Sequence, residues 1–545
     1  MTAKLSIHAN ASAFAIHSIF AMNSQPTVAL RTRFFSNASA FAIHSNKENF
    51  MKFTSTRNNE LLVSGSTAVL TGLAPDGGLY VPQSFPELSR KEVEAMVEMD
   101  YPERAALVMA KFFDELTYDE LLNVTTRAYS TFDGDPAPEV KLEGGLYVLE
   151  LWHGKTHAFK DMALSVLPLL MTALKNKVGQ SETCLIPVAT SGDTGKAALE
   201  GFSGVDGTGV IVFYPDGGVS NAQRKQMVTT LGDNVKVVAV KGNFDDAQTA
   251  VKKAFGDKEL QEKLGAIGCK MTGANSINLG RLAPQVAYYV SAYVDLLASE
   301  QITYGDEVDF CVPTGNFGNI LAAYYAKLMG LPVGRLVCAS NDNNVLADFL
   351  NSGVYSLNRD FIKTTSPSMD ILISSNLERL LFEFAGRDSA LVCEWMKDLK
   401  EKGSYDIGGE RLYAIRETFV GGYATQEEYA DTLADVFDEY GYLCDPHTAV
   451  AFDVCMQYLD ETDSEAPIVV VSTASPVKFA STVLESIGLS APEDGVSALK
   501  KMEAETAFPV PASVYELFDM EERFNEVIDP ANLNETVFSF AKGLK

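Results

Sequence analysis

Short apolar runs alternate with amphipathic segments along most of the chain. The runs have the length and β-branched content of buried strands, and the segments between them carry apolar residues at helical spacing. In chain order the runs are GLYVLEL, TCLIPVAT, GVIVFYP, VKVVAV, EVDFCVP, RLVCAS and PIVVVST. This alternation predicts an α/β fold with open, mostly parallel sheets covered by helices.

The pattern also suggests a domain organisation. Residues 51–140 have apolar positions at helical spacing, as in KEVEAMVEMDYPERAALVMAKFF, and predict a small, mostly helical N-terminal domain. Residues 141–545 hold the strand–helix alternation and predict a catalytic region of two α/β lobes, with a more helical insertion near 356–465. A chain of 545 residues has the length of two or three domains.

Residues 1–50 differ in composition from the rest of the chain. The segment NASAFAIHS occurs twice, starting at Asn10 and at Asn37, and the region is rich in Ser and Ala and poor in acids, as transit peptides are. Upstream or unstructured sequence is the alternative that we favour, since Met51 opens a segment that resembles a natural protein start. We therefore expect a disordered extension and a cytoplasmic protein. A plastid or mitochondrial location follows if the extension is a transit peptide.

Charge and cysteine usage exclude several classes of function. Lys and Arg total 44, Asp and Glu total 72, and the net charge of −28 argues against nucleic-acid and anionic-membrane partners. The seven cysteines include no CxxC pair, so we expect neither a zinc site nor a disulfide framework. No apolar run approaches the length of a membrane span, and we expect a soluble protein that acts on a small molecule.

The polar segment HGKTHAFKD, 153–161, lies between a predicted strand and a predicted helix, where ligands bind in such sheets. Phe159 and the apolar run that follows Asp161 would bury Lys160 in part, lower the pKa of its amine and suit it to Schiff-base chemistry. A solvated lysine at a helix start is the alternative. His153 and His157 flank this loop, and the chain has only one other histidine after the first fifty residues, His447.

Two further segments join a strand to a helix start, where free backbone N–H groups attract anions. TSGDTG, 190–195, offers hydroxyls for a carboxylate or a phosphate, and Asp193 would cap the helix or orient a donor. PTGNFGN, 313–319, has glycines that let the backbone approach a ligand closely, in a spacing that fits neither a dinucleotide fingerprint nor a P-loop. An ordinary helix cap and a glycine-rich turn are the respective alternatives.

Two more segments carry weaker signals. A hydroxyl of STASP, 472–476, would hydrogen-bond a ring nitrogen or cap the next helix. In GANSINLGR, 273–281, the planar guanidinium of Arg281 would clamp a phosphate or form a surface salt bridge.

Taken together and in this order, the segments resemble those of the threonine synthase family, pyridoxal-phosphate enzymes of the tryptophan-synthase-β fold type. HGKTHAFKD is similar to the family motif HGPTxAFKD, and STASPVKF to TAxPxKF. NSINLGR and GLAPDGGLYVP match as well, and the resemblance covers nearly all of residues 51–485. It points to the bacterial and fungal branch, with monomers or homodimers.

The resemblance implies a role for individual residues. Lys160 would be the catalytic residue that forms the Schiff base with pyridoxal 5'-phosphate, and Thr473 would face the pyridine nitrogen. The cofactor phosphate would be held by Gly315, Asn316, Phe317, Gly318 and Asn319. The substrate would be bound by Ser191, Asp193, Thr194, Asn278, Arg281 and Lys155.

The chain departs from the family pattern at two positions. Lys155 stands where the family usually has proline, and Ser475 where it often has histidine. Lys155 either aids binding of the substrate phosphate or points outward.

The implied reaction converts O-phospho-L-homoserine and water to L-threonine and phosphate. Two alternatives remain open: a related phospholyase that gives a 2-oxo acid, and a catalytically silent binding protein of the same fold.

Overall fold

The computed structural model describes residues 50–190, 192–219, 221–462 and 464–544, and the structural statements below concern these residues. The direct repeat and the rest of residues 1–49, for which we expect a disordered extension, lie outside the described residues, as does Ser191.

Strands and helices follow one another in the order that the apolar pattern predicts. The strands are β1 (Lys52–Ser55), β2 (Asn58–Ser64), β3 (Tyr80–Pro82), β4 (Glu139–Lys141), β5 (Leu146–Glu150), β6 (Thr183–Ala189), β7 (Thr208–Pro215), β8 (Val235–Val240), β9 (Cys269–Met271), β10 (Val308–Pro313), β11 (Val333–Ser340), β12 (Val354–Ser356), β13 (Ser404–Asp406), β14 (Phe419–Tyr423), β15 (Ile468–Ser472) and β16 (Val527–Ile528). Each of the seven apolar runs forms a strand, because its side chains are buried on both faces of a sheet.

The α-helices are α1 (Gly65–Thr71), α2 (Arg90–Ala95), α3 (Tyr101–Phe112), α4 (Tyr118–Tyr129), α5 (Lys160–Leu164), α6 (Leu167–Val178), α7 (Asp193–Phe202), α8 (Asn221–Val228), α9 (Phe244–Gly256), α10 (Lys258–Ala266), α11 (Leu279–Ala298), α12 (Gly318–Leu328), α13 (Val345–Ser352), α14 (Leu377–Phe384), α15 (Ser389–Lys402), α16 (Gly409–Arg416), α17 (Gln426–Tyr440), α18 (Pro446–Glu461), α19 (Ala480–Ser486), α20 (Gly495–Thr506), α21 (Ala512–Asp519) and α22 (Leu533–Gly543).

Two sheets form the body of the fold. Sheet A has six strands in the order β14-β11-β10-β15-β5-β4 and is parallel except for its antiparallel edge strand β4. Sheet B has five parallel strands in the order β16-β8-β7-β6-β9. Helices cover both sheets, so the predicted α/β fold with open, mostly parallel sheets is confirmed.

The region before sheet A contains both sheet and helix. A three-stranded antiparallel sheet in the order β2-β1-β3 accompanies helices α1 to α4. Helix α3 starts where the Asp100 carboxylate accepts from Glu103 N, with Pro102 in the first turn. Its apolar side packs on α11.

Helix α11 lies at the centre of the molecule. Nearly all of its residues are buried, because apolar side chains surround the helix on every side. The last three residues of the segment GANSINLGR belong to the first turn of α11. Arg281 is consequently buried.

Besides the β2-β1-β3 sheet and the short strands β4 and β9, strands that the apolar pattern does not predict occur near 356–465 and in the C-terminal residues. The stretch near 356–465 holds helices, but also β13 and the edge strand β14 of sheet A. The C-terminal residues are mostly helical, yet β16 pairs in parallel with β8 at the edge of sheet B. Within the described ranges, no helix has both the length and the apolar character that crossing a membrane requires.

Candidate active site

The four polar segments meet at the carboxyl ends of strands from both sheets. The loops after β5, β10 and β15 lie at sheet A, and the loop after β6 lies at sheet B. Phe159 N donates to Thr473 O at 2.9 Å and Ser475 N donates to His157 O at 3.0 Å, so the loops after β5 and β15 are hydrogen-bonded together. Such an edge is where ligands bind in open α/β sheets.

Lys160 is the first residue of α5 and points its amine into this edge. Its side chain is 14% exposed, and Nζ lies 3.3 Å from Ser368 Oγ and 4.0 Å from Asp193 Oδ2. The ammonium also lies over the ring of Phe159, 5.3 Å from its centroid. The amine is therefore enclosed, with polar groups on one side and an aromatic face on another.

Burial lowers the pKa of Lys160 below its ordinary value. The neighbouring cations Lys478 and Arg281 lower it further, whereas Asp193 and Asp161 act in the opposite direction. A lysine whose pKa is lowered has a larger fraction of free amine at neutral pH, which is the form that attacks a carbonyl.

Asp193, the first residue of α7, forms a buried ion pair. Its Oδ1 lies 3.0 Å from Lys478 Nζ, and both side chains are less than a tenth exposed. Burial raises the pKa of the carboxyl, but Lys478 and Lys160 outweigh burial, and the net pKa lies below the ordinary value. Asp193 is thus a fixed negative charge beside Lys160.

The TSGDTG loop owes its shape to one hydroxyl and its glycines. Thr190 Oγ1 accepts from Gly192 N and from Gly195 N, both at 3.0 Å. A Cβ on Gly195 would lie 2.4 Å from the methyl carbon of Thr190, so close packing demands glycine there. Thr194 is half-buried in the first turn of α7.

The PTGNFGN loop presents an array of free backbone donors. None of the backbone N–H groups from Gly315 to Ile320 donates a hydrogen bond within the described part of the chain. Phe317 has a φ of 60°, a left-handed conformation that is uncommon for a bulky residue and that turns the chain into α12. This array at a helix start is suited to hold a phosphate.

Asn319 extends this array with a side-chain donor. Its Oδ1 accepts from the hydroxyls of Tyr288 and Tyr289, at 2.5 Å and 2.7 Å. Its buried Nδ2 has no partner among the described residues. A buried amide donor without a partner indicates that a ligand acceptor belongs beside it.

Arg281 lies in the first turn of α11 and Asn278 directly precedes the helix, and the two side chains differ in the hydrogen-bond donors that they leave free. Arg281 Nη1 donates to Ala274 O at 3.3 Å, while its buried Nε has no partner within the described ranges. Burial lowers the pKa of Arg281 to about 10, with Tyr288 acting to raise it, so the guanidinium stays charged at neutral pH. Asn278 caps the helix: its Oδ1 accepts from Gly280 N, and its Nδ2 donates to two backbone carbonyls.

Lys155 lies at the outer rim of the site. Its side chain is 51% exposed, and its amine is 3.9 Å from Glu200 Oε2, a carboxylate that Lys196 already holds at 2.6 Å. The structure thus brings Lys160, Asp193, Thr473 and the 315–319 loop to one edge, while Lys155 is exposed on the loop that leads to Lys160.

Three neighbours of Lys160 and Asp193 were not predicted from sequence as site residues. Lys478 was part of the quoted STASPVKF segment, and His447 was singled out as a scarce histidine. Ser368 carried no signal, since an isolated serine in an irregular stretch has none. Ser368 N donates to His447 Nε2 at 3.0 Å, and Lys478 Nζ donates to Thr156 O at 2.8 Å.

These residues fit a small aldehyde cofactor with a phosphate. Hydrogen-bond donors for the phosphate are the free N–H groups of the 315–320 segment and the Asn319 amide, which has no partner among the described residues. The enclosed Lys160 provides the amine for the aldehyde. An amine for the aldehyde and a cradle for the phosphate define a pyridoxal-phosphate-dependent enzyme. A family model described as "Pyridoxal-phosphate dependent enzyme" matches residues 136–474.

Comparison with known proteins narrows this class. Models described as "Threonine synthase N terminus" and "Threonine synthase, C-terminal" match residues 52–129 and 448–537. The threonine synthase of Pseudomonas aeruginosa is 37% identical over 87% of this chain and 95% of its own length. The chain belongs to the threonine synthase family.

A solved structure and a mammalian relative complete the comparison. The crystal structure of pyridoxal-phosphate-bound threonine synthase from Brucella melitensis superimposes with a TM-score of 0.81, at 39% identity, over 90% of this chain and all of that one. The human protein named threonine synthase-like 1 is 39% identical over 77% of this chain. The match spans 58% of the length of that human relative.

Proposed function

We propose that the protein converts O-phospho-L-homoserine and water to L-threonine and phosphate. The observation that carries the proposal is the enclosed Lys160 amine, 4.0 Å from the fixed charge of Asp193 and at the same sheet edge as the free N–H groups of the 315–320 segment. The named relatives from Pseudomonas aeruginosa and Brucella melitensis support the same activity.

Pyridoxal phosphate, when bound, supplies an electron sink that makes the Cα proton of an amino acid removable. The residues that would hold it are Lys160 at the aldehyde, the 315–319 loop at the phosphate and Thr473 at the pyridine nitrogen. Thr473 is buried, and its neutral hydroxyl would leave that nitrogen largely unprotonated.

Lys160 is the general acid and base in this proposal. Its amine would remove the protons at Cα and Cβ of the substrate and would deliver protons to Cα and Cγ. The lowered pKa of Lys160 suits this task, because a base that titrates nearer neutral pH both accepts and donates protons readily.

The overall balance involves phosphate and water. Phosphate leaves Cγ with the C–O bond electrons, water supplies the hydroxyl at Cβ, and a proton is added at Cγ. The substrate phosphate needs a second anion site besides that of the cofactor. We assign it to the TSGDTG helix start, with Ser191 and Thr194, and to the free Nε of Arg281, with Asn278 fixing the helix turn that carries Arg281.

Lys155 has a separate proposed role at the rim. Its exposed ammonium sits 3.9 Å from Glu200, too far for a firm hydrogen bond, and is therefore free to meet the incoming phosphate dianion.

A product assay tests the proposal. The purified protein, reconstituted with pyridoxal phosphate, is incubated with phosphohomoserine, and threonine, phosphate and 2-oxobutyrate are measured together. Threonine and phosphate in equal amounts are expected. Release of 2-oxobutyrate would identify the phospholyase alternative, and absence of turnover in a protein that binds the cofactor would identify a silent relative.

Domain limits, location and assembly are part of the proposal. We assign residues 51–140 to an N-terminal domain and 141–545 to the catalytic region, and propose a cytoplasmic monomer or homodimer. Fusing residues 1–50 to a fluorescent protein tests the location, since import into an organelle would show a transit peptide. Light scattering of the purified protein gives the oligomeric state.

A further inference from the structure

Ser368 lies between the two functional charges of the site. Its Oγ accepts from Lys160 Nζ at 3.3 Å, and its O–H donates to Asp193 Oδ2 at 3.4 Å. The serine is half-buried in a single 3₁₀ turn, Pro367–Met369, far from both partners along the chain. The turn thus supplies the one hydroxyl for which the structure records hydrogen bonds to both Lys160 and Asp193, within the described residues.

His447 fixes the backbone of this turn. Its Nε2 accepts from Ser368 N at 3.0 Å, and its Nδ1 lies 2.6 Å from Asp445 Oδ2. Because Nε2 is an acceptor, the imidazole is neutral with its proton on Nδ1, which donates to Asp445. Asp445 therefore selects the tautomer that can receive the Ser368 N–H.

Asp445 is itself held firmly. It caps α18, with Oδ1 accepting from Thr448 N at 3.0 Å, and it is fully buried. The ring of His447 packs edge-on against Phe479, with centroids 5.0 Å apart. Neither residue of the pair can reorient without losing several contacts.

The other side of the turn is anchored to the end of β11. Asp370 Oδ1 accepts from Asn341 Nδ2 at 2.9 Å and from Thr364 Oγ1 at 2.7 Å. The turn also covers the phosphate cradle, since a Cβ on Gly315 would lie 3.0 Å from Ser368 O. The position of Ser368 is thus determined from two sides, by His447 and by the Asn341–Asp370 network.

We propose that Ser368 is a further catalytic residue, whose hydroxyl orients the Lys160 amine toward the reacting carbon atoms, and that Asp445 and His447 are its positioning residues. The inference rests on the proposed function, because it assigns Ser368 to the proton transfers of that reaction. The charged groups that face Lys160 are Asp193, Lys478, Arg281 and Asp161, and those that face His447 are Asp445 and Asp193.

The test compares S368A, H447L and the double variant S368A/H447L as reconstituted proteins. Loss of a hydrogen bond to a charged group predicts a fall in kcat of about 10- to 100-fold for S368A. H447L is expected to fall by a similar factor, and the double variant no further than the worse single variant, since His447 acts through Ser368. Independent, multiplicative losses would overturn the positioning role.

A spectroscopic readout separates this role from a merely structural one. Titrating the cofactor absorption band of S368A with pH is expected to give a midpoint at lower pH than in the wild type, because the link from the Lys160 nitrogen to Asp193 is lost. An unchanged midpoint together with unchanged kcat would overturn the inference.

Two further variants serve as controls. T365A removes a hydroxyl of the same segment, one that hydrogen-bonds the Tyr429 hydroxyl at 2.9 Å and not Lys160. This variant is expected to keep the wild-type pH midpoint of the cofactor absorption band. H447Q keeps an acceptor for Ser368 N–H and is expected to lie between wild type and H447L, which also covers the case that H447L does not fold. Wild-type protein that releases 2-oxobutyrate would reject the proposed reaction, whereas the comparison with S368A would still decide the role of Ser368.

Discussion

Asp193 Oδ1 and Lys478 Nζ lie 3.0 Å apart and are almost completely buried, and they connect the helix start after β6 to the turn after β15. The first element belongs to sheet B and the second follows sheet A. The ion pair therefore holds the two sheets in the relative position that the site requires, in addition to setting the charge beside Lys160.

Breaking this pair on one side should destabilise the fold. D193N leaves two buried ammonium groups without their carboxylate, and a loss of about 3–5 kcal/mol in the free energy of unfolding is expected. Urea denaturation followed by circular dichroism measures it. The exposed pair Lys241–Asp529 is the control, and D529N should change stability by less than about 1 kcal/mol. Equal effects of the two variants would contradict this view of the buried pair.

Removing the Lys160 amine should abolish cofactor capture. K160A is expected to lack the cofactor absorption band and to lose turnover by more than about 10³-fold, because the nucleophile and the base are the same group. Borohydride reduction followed by peptide mass analysis should label Lys160 in the wild type and in K177A, and should label no residue in K160A. K177A, which changes an exposed lysine on α6, is the matched control. Labelling at another lysine would refute the assignment.

His157 predicts a pH dependence of stability. Burial lowers its pKa from 6.5 to about 4, and Lys478 and His153 add to this effect. Between these pH values the unfolded chain binds the proton and the folded chain does not, so the His157 contribution to stability is lost as pH falls through this window.

Replacing the imidazole should remove that loss. Asn tolerates the left-handed φ of 54° at position 157, so H157N is a suitable variant. As the pH falls from 7 to 4, the free energy of unfolding of the wild type is expected to decrease by about 3 kcal/mol more than that of H157N. Burial raises the pKa of Asp161 to about 6, so this residue increases the free energy of unfolding as the pH falls. Because Asp161 is present in both proteins, its effect cancels in the comparison. Stability curves of the two proteins that run parallel from pH 7 to pH 4 would contradict the prediction.

A methyl group at Gly315 should weaken cofactor binding. The Cβ of G315A would lie 3.0 Å from Ser368 O and 3.4 Å from Met369 Cα, so the cradle or the 3₁₀ turn must shift. We expect the Kd for pyridoxal phosphate to rise by about tenfold or more, measured by absorbance titration of the apoprotein. G256A, where a methyl group meets nothing within 4 Å, should bind as the wild type does. Unchanged affinity of G315A would argue against the cradle.

The sequence predicts the sheets well because their strands are buried on both faces. A run such as PIVVVST has no polar residue until its end and has the β-branched content of a buried strand. Strands β13 and β16 escape prediction because they are short and gain their order from a partner strand, β12 and β8 respectively.

Some residues of the site can also be predicted from the sequence, and others cannot. Lys160 and the glycines of 313–319 are found from local motifs, because the chemistry of each needs neighbours in the chain. Ser368 is 208 residues from Lys160 and 79 from His447, and only the fold brings them into hydrogen-bond distance. Asn278 is the opposite case. Its motif suggests a substrate-binding residue, but the structure shows that its side chain caps α11.

Strand β16 has a consequence for biosynthesis. Sheet B takes four strands from residues 183–271, but its edge beside β8 is completed only by residues 527 and 528. During translation the backbone groups along that edge stay open to water and to other nascent chains while more than two hundred further residues are made. Completion of the half of the molecule that carries Asp193 must therefore wait until residues 527 and 528 have left the ribosome.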